Sequence, residues 1–163
     1  MTTAPLSDAR LISVRDLRVS FPTRSGTFEA VRGVSFDLGR ERLGVVGESG
    51  SGKSMTGRAI LGLVRPPGKV TAASMTLDGQ SILNLPQRRM RKIRGQRISM
   101  VMQDPKFSLN PVMPIGRQIV EAYRQGSNAS RADARAKALE MLAAVQIRDP
   151  ERVFDAYPHE VSG

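Results

Sequence analysis

The sequence predicts a mixed α/β fold, and three observations support this prediction. Strand-like runs occupy residues 11–38, a glycine-rich segment at residues 47–54 separates an apolar run from a helical one, and helical periodicity dominates after residue 103. The chain has 163 residues, of which 40% are hydrophobic, so it can build one modest core or most of one. These values are typical of a globular protein and exclude a disordered one.

The first part of the chain is predicted to be antiparallel. Residues 11–21 and 28–38 have the composition of strands, and the Pro-Thr-Arg-Ser-Gly segment at residues 22–26 is typical of a hairpin connection. The apolar residues 43–46 predict a short, buried parallel strand, and residues 55–64 predict a helix directly after the glycine-rich segment. A strand, a glycine-rich loop and a helix therefore follow one another.

Strands are predicted again at residues 70–77, before a turn at Asp78-Gly79, and at residues 97–102. The last third is predicted to be helical. The segments are residues 115–124, residues 131–145 and a short turn at residues 150–156. Ser130 and Asp133 are placed as a capping pair for the second of these helices, and Asp149 before Pro150 has the pattern of an N-cap followed by proline.

The glycine-rich segment reads Gly-Glu-Ser-Gly-Ser-Gly-Lys-Ser and matches the phosphate-binding pattern G-x-x-x-x-G-K-[ST]. Glycines let backbone N–H groups approach an anion, and the helix that follows directs its positive end to the same place. We predict that Lys53 reaches the β- and γ-phosphates of a nucleoside triphosphate and that the Ser54 hydroxyl binds Mg²⁺. The predicted nucleotide contacts are Gly47, Glu48, Ser49, Gly50, Ser51, Gly52, Lys53 and Ser54. The alternative, a flexible Gly/Ser linker, is disfavoured by the flanking strand and helix patterns.

Composition limits the other classes of site. The chain contains no cysteine, which excludes a disulfide framework, a thiolate metal site and an iron–sulfur cluster within it. The N-terminus lacks a basic region followed by an apolar stretch, and no run of eighteen apolar residues occurs, so we expect a cytoplasmic protein.

The net charge of +10 comes in large part from one basic segment that contains no acid. Its cations are Arg88, Arg89, Arg91, Lys92, Arg94 and Arg97. Such a segment can bind nucleic acid or an anionic lipid surface, or it can be a solvated helix face. The last interpretation is favoured, because Leu85, Met90 and Ile93 recur at helical spacing after a start at Asn84, and no aromatic residues interleave.

Five features of the sequence form a pattern when taken together: Phe21, the loop at residues 47–54, Met-Gln-Asp-Pro at residues 102–105, Ser-Leu-Asn-Pro at residues 108–111 and Tyr-Pro-His-Glu-Val-Ser-Gly at residues 157–163. In this order and spacing they resemble the ATP-binding subunits of ABC transporters, especially those that energise bacterial uptake of dipeptides, oligopeptides and nickel. The resemblance covers nearly the whole chain after about residue 10. It implies a P-loop NTPase fold of the ABC type, of which this chain is the N-terminal, incomplete part.

The resemblance also implies roles for single residues. Phe21 falls where the family places an aromatic ring against adenine, although an ordinary core position is equally favoured. Gln103 falls at the Q-loop glutamine, which contacts Mg²⁺ and the attacking water, so Lys53 and Gln103 are the predicted catalytic residues. Ser162 and Gly163 resemble the start of the signature motif, with Val161 in place of Leu, and would bind the γ-phosphate held by an opposite subunit.

The resemblance further implies a β subdomain and P-loop core through the Q-loop at residues 11–111, after a tail at residues 1–10. A partial helical subdomain follows at residues 112–163. The implied partners are integral membrane permease subunits, a second ATP-binding subunit and, indirectly, a substrate-binding protein outside the membrane, with no direct nucleic-acid partner. This places the chain on the cytoplasmic face of the cell membrane.

The sequence ends inside the signature motif and lacks the apolar strand closed by Asp-Glu that the family uses to hold Mg²⁺ and polarise water. We therefore expect the chain to bind ATP but not to hydrolyse it efficiently. We also expect it to be marginally stable or to associate, because partner strands are missing. His159 precedes the signature, so it does not match the family's catalytic histidine and is expected to be structural.

Two other functions stay open. A different P-loop class, such as a nucleotide kinase or a GTPase, is disfavoured by the Gln103 segment and the Ser-Gly ending. A non-transport ABC ATPase that acts on nucleic acid is supported only by the basic segment.

Overall fold

A five-stranded antiparallel sheet in the first half of the chain is built around one long strand. β1 (Ile12–Thr23) pairs with β2 (Gly26–Leu38) on one side, and with β3 (Lys69–Thr71) and β4 (Ser74–Leu77) on the other; β5 (Gln80–Ser81) pairs with β4. The predicted hairpin is confirmed, with Thr23 opposite Gly26. The structure is a computed structural model that describes residues 10–102 and 108–161.

The single strand predicted at residues 70–77 is divided into β3 and β4. Arg18 of β1 lies opposite Thr71, and Arg15 lies opposite Ser74. Between these two positions the β1–β2 register is irregular and Asp16 has a positive φ of 49°. The division in the neighbouring strand therefore faces an irregularity in β1, where continuous pairing is interrupted.

The parallel strand predicted at residues 43–46 is wrong: these residues form no strand in the structure. Val45 and Val46 are 59% and 93% exposed. The physical reason is that, within the described residues, all paired strands are antiparallel partners of β1 or β4 and none runs alongside this segment. The strand predicted at residues 97–102 is also wrong, and Val101 is 90% exposed.

The described residues include five α-helices and, near residue 160, a short 3₁₀-helix. They are α1 (Lys53–Ile60), α2 (Gln87–Ile93), α3 (Ile115–Gly126), α4 (Arg131–Ala144), α5 (Pro150–Asp155) and the 3₁₀-helix at Pro158–Glu160. In the part of the chain that is described, no helix is long and apolar enough to cross a membrane.

Helix starts were predicted with mixed success. The capping pair is confirmed, because the backbone N–H of Asp133 donates to Ser130 Oγ at 3.1 Å. Asp149 is likewise an N-cap and accepts from the N–H of Arg152 at 3.1 Å, although its segment forms a helix rather than the predicted turn. The start at Asn84 is wrong: Pro86 is the N-cap of α2, and Asn84 lies in the preceding turn with φ +55°.

The chain divides into two compact units, Met1–Arg94 and Gly95–Gly163. In the first unit, side chains of β1 form the centre of the core, where Val14, Leu17 and Val19 are fully buried. In the second unit, α3, α4 and α5 enclose a separate core. Its buried members are Ile115, Val120, Ala134, Ala138, Leu142, Val153 and Phe154. The predicted boundary after residue 111, between the P-loop core and the helical subdomain, stays a prediction.

Candidate nucleotide-binding loop

The loop at residues 47–54 has positive φ at three glycines, of which Gly50 and Gly52 come nearest to the left-handed helical conformation. Gly50 has φ +82° and Gly52 has φ +92°, a conformation that residues with a Cβ adopt at a cost. A Cβ on Gly50 would meet open space, whereas a Cβ on Gly52 would overlap the carbonyl oxygen of Ala30 in β2. Gly52 therefore allows the end of the loop to lie directly against the sheet.

The side-chain amine of Lys53 is turned back onto the loop. Lys53 Nζ donates to the carbonyl oxygens of Gly47 at 2.7 Å and Glu48 at 2.6 Å, and to Ser51 Oγ at 3.2 Å. The loop is closed further by the Ser51 N–H, which donates to the Glu48 carbonyl at 3.2 Å. One positive charge is thus held at the centre of a ring of backbone groups.

The first turn of α1 supplies hydrogen-bond donors at the same place. Its N-cap is Gly52, and no side chain caps the turn. The first helical bond runs from the Thr56 N–H to the Gly52 carbonyl at 2.8 Å. The N–H groups of Lys53, Ser54 and Met55 therefore have no acceptor within the helix, which is the property that makes a helix N-terminus an anion site. The exposed Ser54 hydroxyl lies in this turn.

The opposite end of α1 is held by Arg94, a member of the basic segment predicted to be a solvated helix face. Its guanidinium donates to the carbonyl oxygens of Leu61 at 2.6 Å and Gly62 at 2.9 Å, and to Gln87 Oε1 at 3.0 Å. A cation at a helix C-terminus is favourable, because the last carbonyls lack helical partners. No sequence signal predicts this contact, since more than thirty residues separate the partners.

The ring of Phe21 is half-buried near the end of β1. It lies against the segment that follows α1: a Cβ on Gly68 would be 2.6 Å from Phe21 Cε1 and 2.7 Å from Val64 Cγ1. Phe21 also lies opposite Phe28 in the β1–β2 register. These contacts fit a packed aromatic residue near the β1–β2 hairpin, and adenine stacking stays a prediction.

The predicted sites at Gln103, Ser162 and Gly163 lie outside the described residues. His159 contacts a neighbour in sequence. Its ring stacks on that of Tyr157 with centroids 5.8 Å apart, while the Glu160 carboxylate accepts from the Tyr157 N–H at 2.7 Å. The two described parts of the proposed site, the loop and Phe21, both belong to the first unit.

Comparison with known families agrees with this geometry: residues 31–163 match the model of the family described as ABC transporter. The chain belongs to the ABC transporter family. Among curated members of the family, it is 46% identical, over its whole length, to a probable peptide ABC transporter ATP-binding protein of Sinorhizobium fredii. It is 43% identical over 99% of its length to an oligopeptide transport ATP-binding protein of Escherichia coli.

The ABC transporter fold is also found by structure. The dimeric structure of MJ0796, a bacterial ABC transporter cassette, superposes with a TM-score of 0.79 at 24% identity, covering 93% of this chain and 63% of that one. The predicted ABC-type fold class is therefore confirmed. The chain spans about half the length of the curated relatives it matches, 49% for each of the two named above.

Proposed function

We propose that the chain is the ATP-binding part of an ABC importer subunit, which energises peptide uptake across the cytoplasmic membrane by ATP binding and hydrolysis. The observation that carries the proposal is the Lys53 amine, held by the loop beside the uncapped first turn of α1. Peptide as the substrate class is supported by the names of the relatives, which are peptide and oligopeptide transport proteins. Nickel uptake, the other substrate implied by resemblance, has no such support.

The residues of the loop fit a magnesium–triphosphate group chemically. Lys53 would exchange its contacts with two backbone carbonyls for the β- and γ-phosphates, and the free N–H groups of α1 would donate to the same anion. Ser54 would bind Mg²⁺, together with Gln103, which would also contact the attacking water. Phe21 would pack against adenine, and Ser162 with Gly163 would contact the nucleotide of an opposite subunit.

Hydrolysis by these 163 residues is expected to be slow. The sequence contains no Asp-Glu pair, which the family uses to hold Mg²⁺ and to orient water. In the working transporter we propose permease subunits and a second ATP-binding subunit as direct partners, and a substrate-binding protein as an indirect one. The location is peripheral, on the cytoplasmic face of the membrane.

Binding of magnesium-ATP by Lys53→Ala tests the proposal. Arg58→Ala is a matched control, because Arg58 is an exposed cation on the same helix. We expect at least tenfold weaker binding for Lys53→Ala, since charge-assisted hydrogen bonds to phosphate are lost, and unchanged binding for Arg58→Ala. Equal affinities of wild type and Lys53→Ala would refute the role of the loop.

A transport measurement tests the substrate class. In cells that carry the complete subunit, Lys53→Ala should abolish energised uptake of a labelled dipeptide or oligopeptide, with Arg58→Ala again as control. Loss of nickel uptake with intact peptide uptake would contradict the peptide assignment.

A further inference from the structure

Four cations on α2 form one continuous exposed surface. Arg88, Arg89, Arg91 and Lys92 are all exposed, whereas Met90 between them is 2% exposed. With a rotation of about 100° per residue, the four side chains cover an arc of about 160°, and Met90 lies on the opposite side. We call these four residues the basic face.

The positive charge of the basic face is not neutralised by an ion pair within residues 10–102 and 108–161. No Asp or Glu occurs between Asp78 and Asp104 in the sequence. Within the described residues, none of the four cations forms an ion pair with an acidic side chain. An unneutralised group of like charges costs free energy in the free protein and favours an anionic partner.

The other side of α2 fixes this surface to the nucleotide-binding unit. Arg94 and Gln87 contact the carbonyl groups that follow α1, and the Met90 side chain lies against Gly62. The loop at residues 47–54 is at the other end of α1, about 12 Å away along the helix. A partner on the basic face therefore does not need the residues that hold nucleotide.

We propose that the basic face binds the surface of a bilayer that contains anionic phospholipid. Four cations on one arc of a short helix suit an extended layer of phosphate groups, because each cation adds attraction without specific geometry. Residues 79–103 contain no aromatic ring that could stack on a base, which disfavours single-stranded nucleic acid. The chain also belongs to a transporter family, so a bilayer is a consistent partner.

Co-sedimentation with vesicles tests the proposal. The probe is the full chain with vesicles of phosphatidylglycerol and phosphatidylcholine, compared with vesicles of phosphatidylcholine alone. We expect binding to the anionic vesicles only, weakening as salt is raised, because exposed charges are screened. The triple variant R88Q/R91Q/K92Q should bind about 100-fold more weakly, since each surface cation contributes about a fivefold factor.

A second triple variant, R24Q/R40Q/R42Q, is the matched control. The three arginines are exposed and lie in the same unit as the basic face, and replacing them lowers the net charge by the same amount as the α2 triple variant does. It should retain vesicle binding, and so should R88K/R91K, which keeps the charge on α2. Circular dichroism verifies that each variant is folded, and Lys92→Gln alone, with about a fivefold loss, replaces the α2 triple variant if that variant unfolds.

Three results would overturn the proposal. The first is no binding to anionic vesicles at low salt. The second is an equal loss in the two triple variants, which would show that net charge alone matters. The third is duplex DNA bound tightly through the same residues while vesicles are not, which would assign the surface to nucleic acid. The proposal does not depend on ATP binding, so loss of nucleotide binding in Lys53→Ala with intact vesicle binding would leave it unaffected.

Discussion

Substituting alanine at two glycines of the nucleotide loop separates backbone strain from steric overlap. Gly50 and Gly52 have nearly the same φ, +82° and +92°. A Cβ at residue 50 meets no heavy atom within 4 Å, whereas a Cβ at residue 52 overlaps the Ala30 carbonyl oxygen and lies 3.3 Å from Val31 Cγ2. Gly50→Ala is therefore a matched control for Gly52→Ala.

The expected magnitudes follow from these two terms. An L-residue in the left-handed region costs about 1–2 kcal/mol, which both variants share. Overlap with packed neighbours adds about 1–3 kcal/mol to Gly52→Ala alone. The overlap is not relieved by side-chain rotation, because the obstacle is a backbone carbonyl in β2, a strand held by its pairing with β1. Gly52→Ala should therefore cost about 1–3 kcal/mol more than Gly50→Ala.

Urea unfolding monitored by circular dichroism measures this difference. If the loop shifts instead to relieve the overlap, the same energy appears as weaker nucleotide binding, in which 1–3 kcal/mol corresponds to about 5–150-fold. Titration of both variants with magnesium-ATP measures this loss of nucleotide affinity. Equal unfolding free energies together with equal ATP affinities of the two variants would refute the close packing of Gly52 on the sheet.

Three further substitutions test the packing, the electrostatics and a helix cap. Gly116→Ala should lower the free energy of unfolding by about 1–3 kcal/mol despite the higher helix propensity of alanine, because its methyl group overlaps the Phe154 ring. A second substitution, Phe154→Leu, should restore part of the loss. An unchanged denaturation midpoint of Gly116→Ala would contradict the contact. The pKa of Asp37 is lowered to about 2, mainly by the hydrogen bond from Arg15, so the carboxylate stabilises the fold above about pH 4 and this stabilisation is lost as the pH falls towards 2. The free energy of unfolding, measured at several pH values, should therefore depend less on pH in Asp37→Asn than in wild type. Parallel stability curves of the two proteins would count against the ion pair. Ser130→Ala should cost about 1 kcal/mol in chemical denaturation, since the cap of α4 is lost, and an equally stable variant would show that the cap is replaced.

The features predicted correctly depend on interactions close in sequence. The hairpin after β1 and the caps at Ser130 and Asp149 are each determined by residues within a few positions. Turn and cap chemistry acts at fixed short offsets, so residue types alone identify it. The same locality explains why the strand pattern of β1 and β2 predicted their bounds within about two residues.

The features missed depend on partners distant in sequence. Arg94 has the same residue type as the cations of the basic face, yet it binds carbonyl groups after α1, because α2 packs there and directs Arg94 inward. The division between β3 and β4 similarly follows from the irregular register at Asp16 in another strand. Neither is visible in the local pattern, since tertiary contacts decide both.

The segment at residues 43–46 shows most clearly that an apolar sequence pattern alone does not predict a strand. Its apolar composition is that of a buried strand, but burial requires neighbours on both edges and both faces, and the described residues provide none. Val45 and Val46 lie just before the loop and are exposed. An apolar, unpaired segment at this position favours association between chains. This exposed segment is therefore the structural reason for which we still predict marginal stability or association. Because α1 is held at its far end by Arg94 and at its start by the Gly52 contact with β2, the loop keeps two attachments that do not involve residues 43–46. We therefore expect nucleotide binding to depend less on residues 43–46 than global stability does.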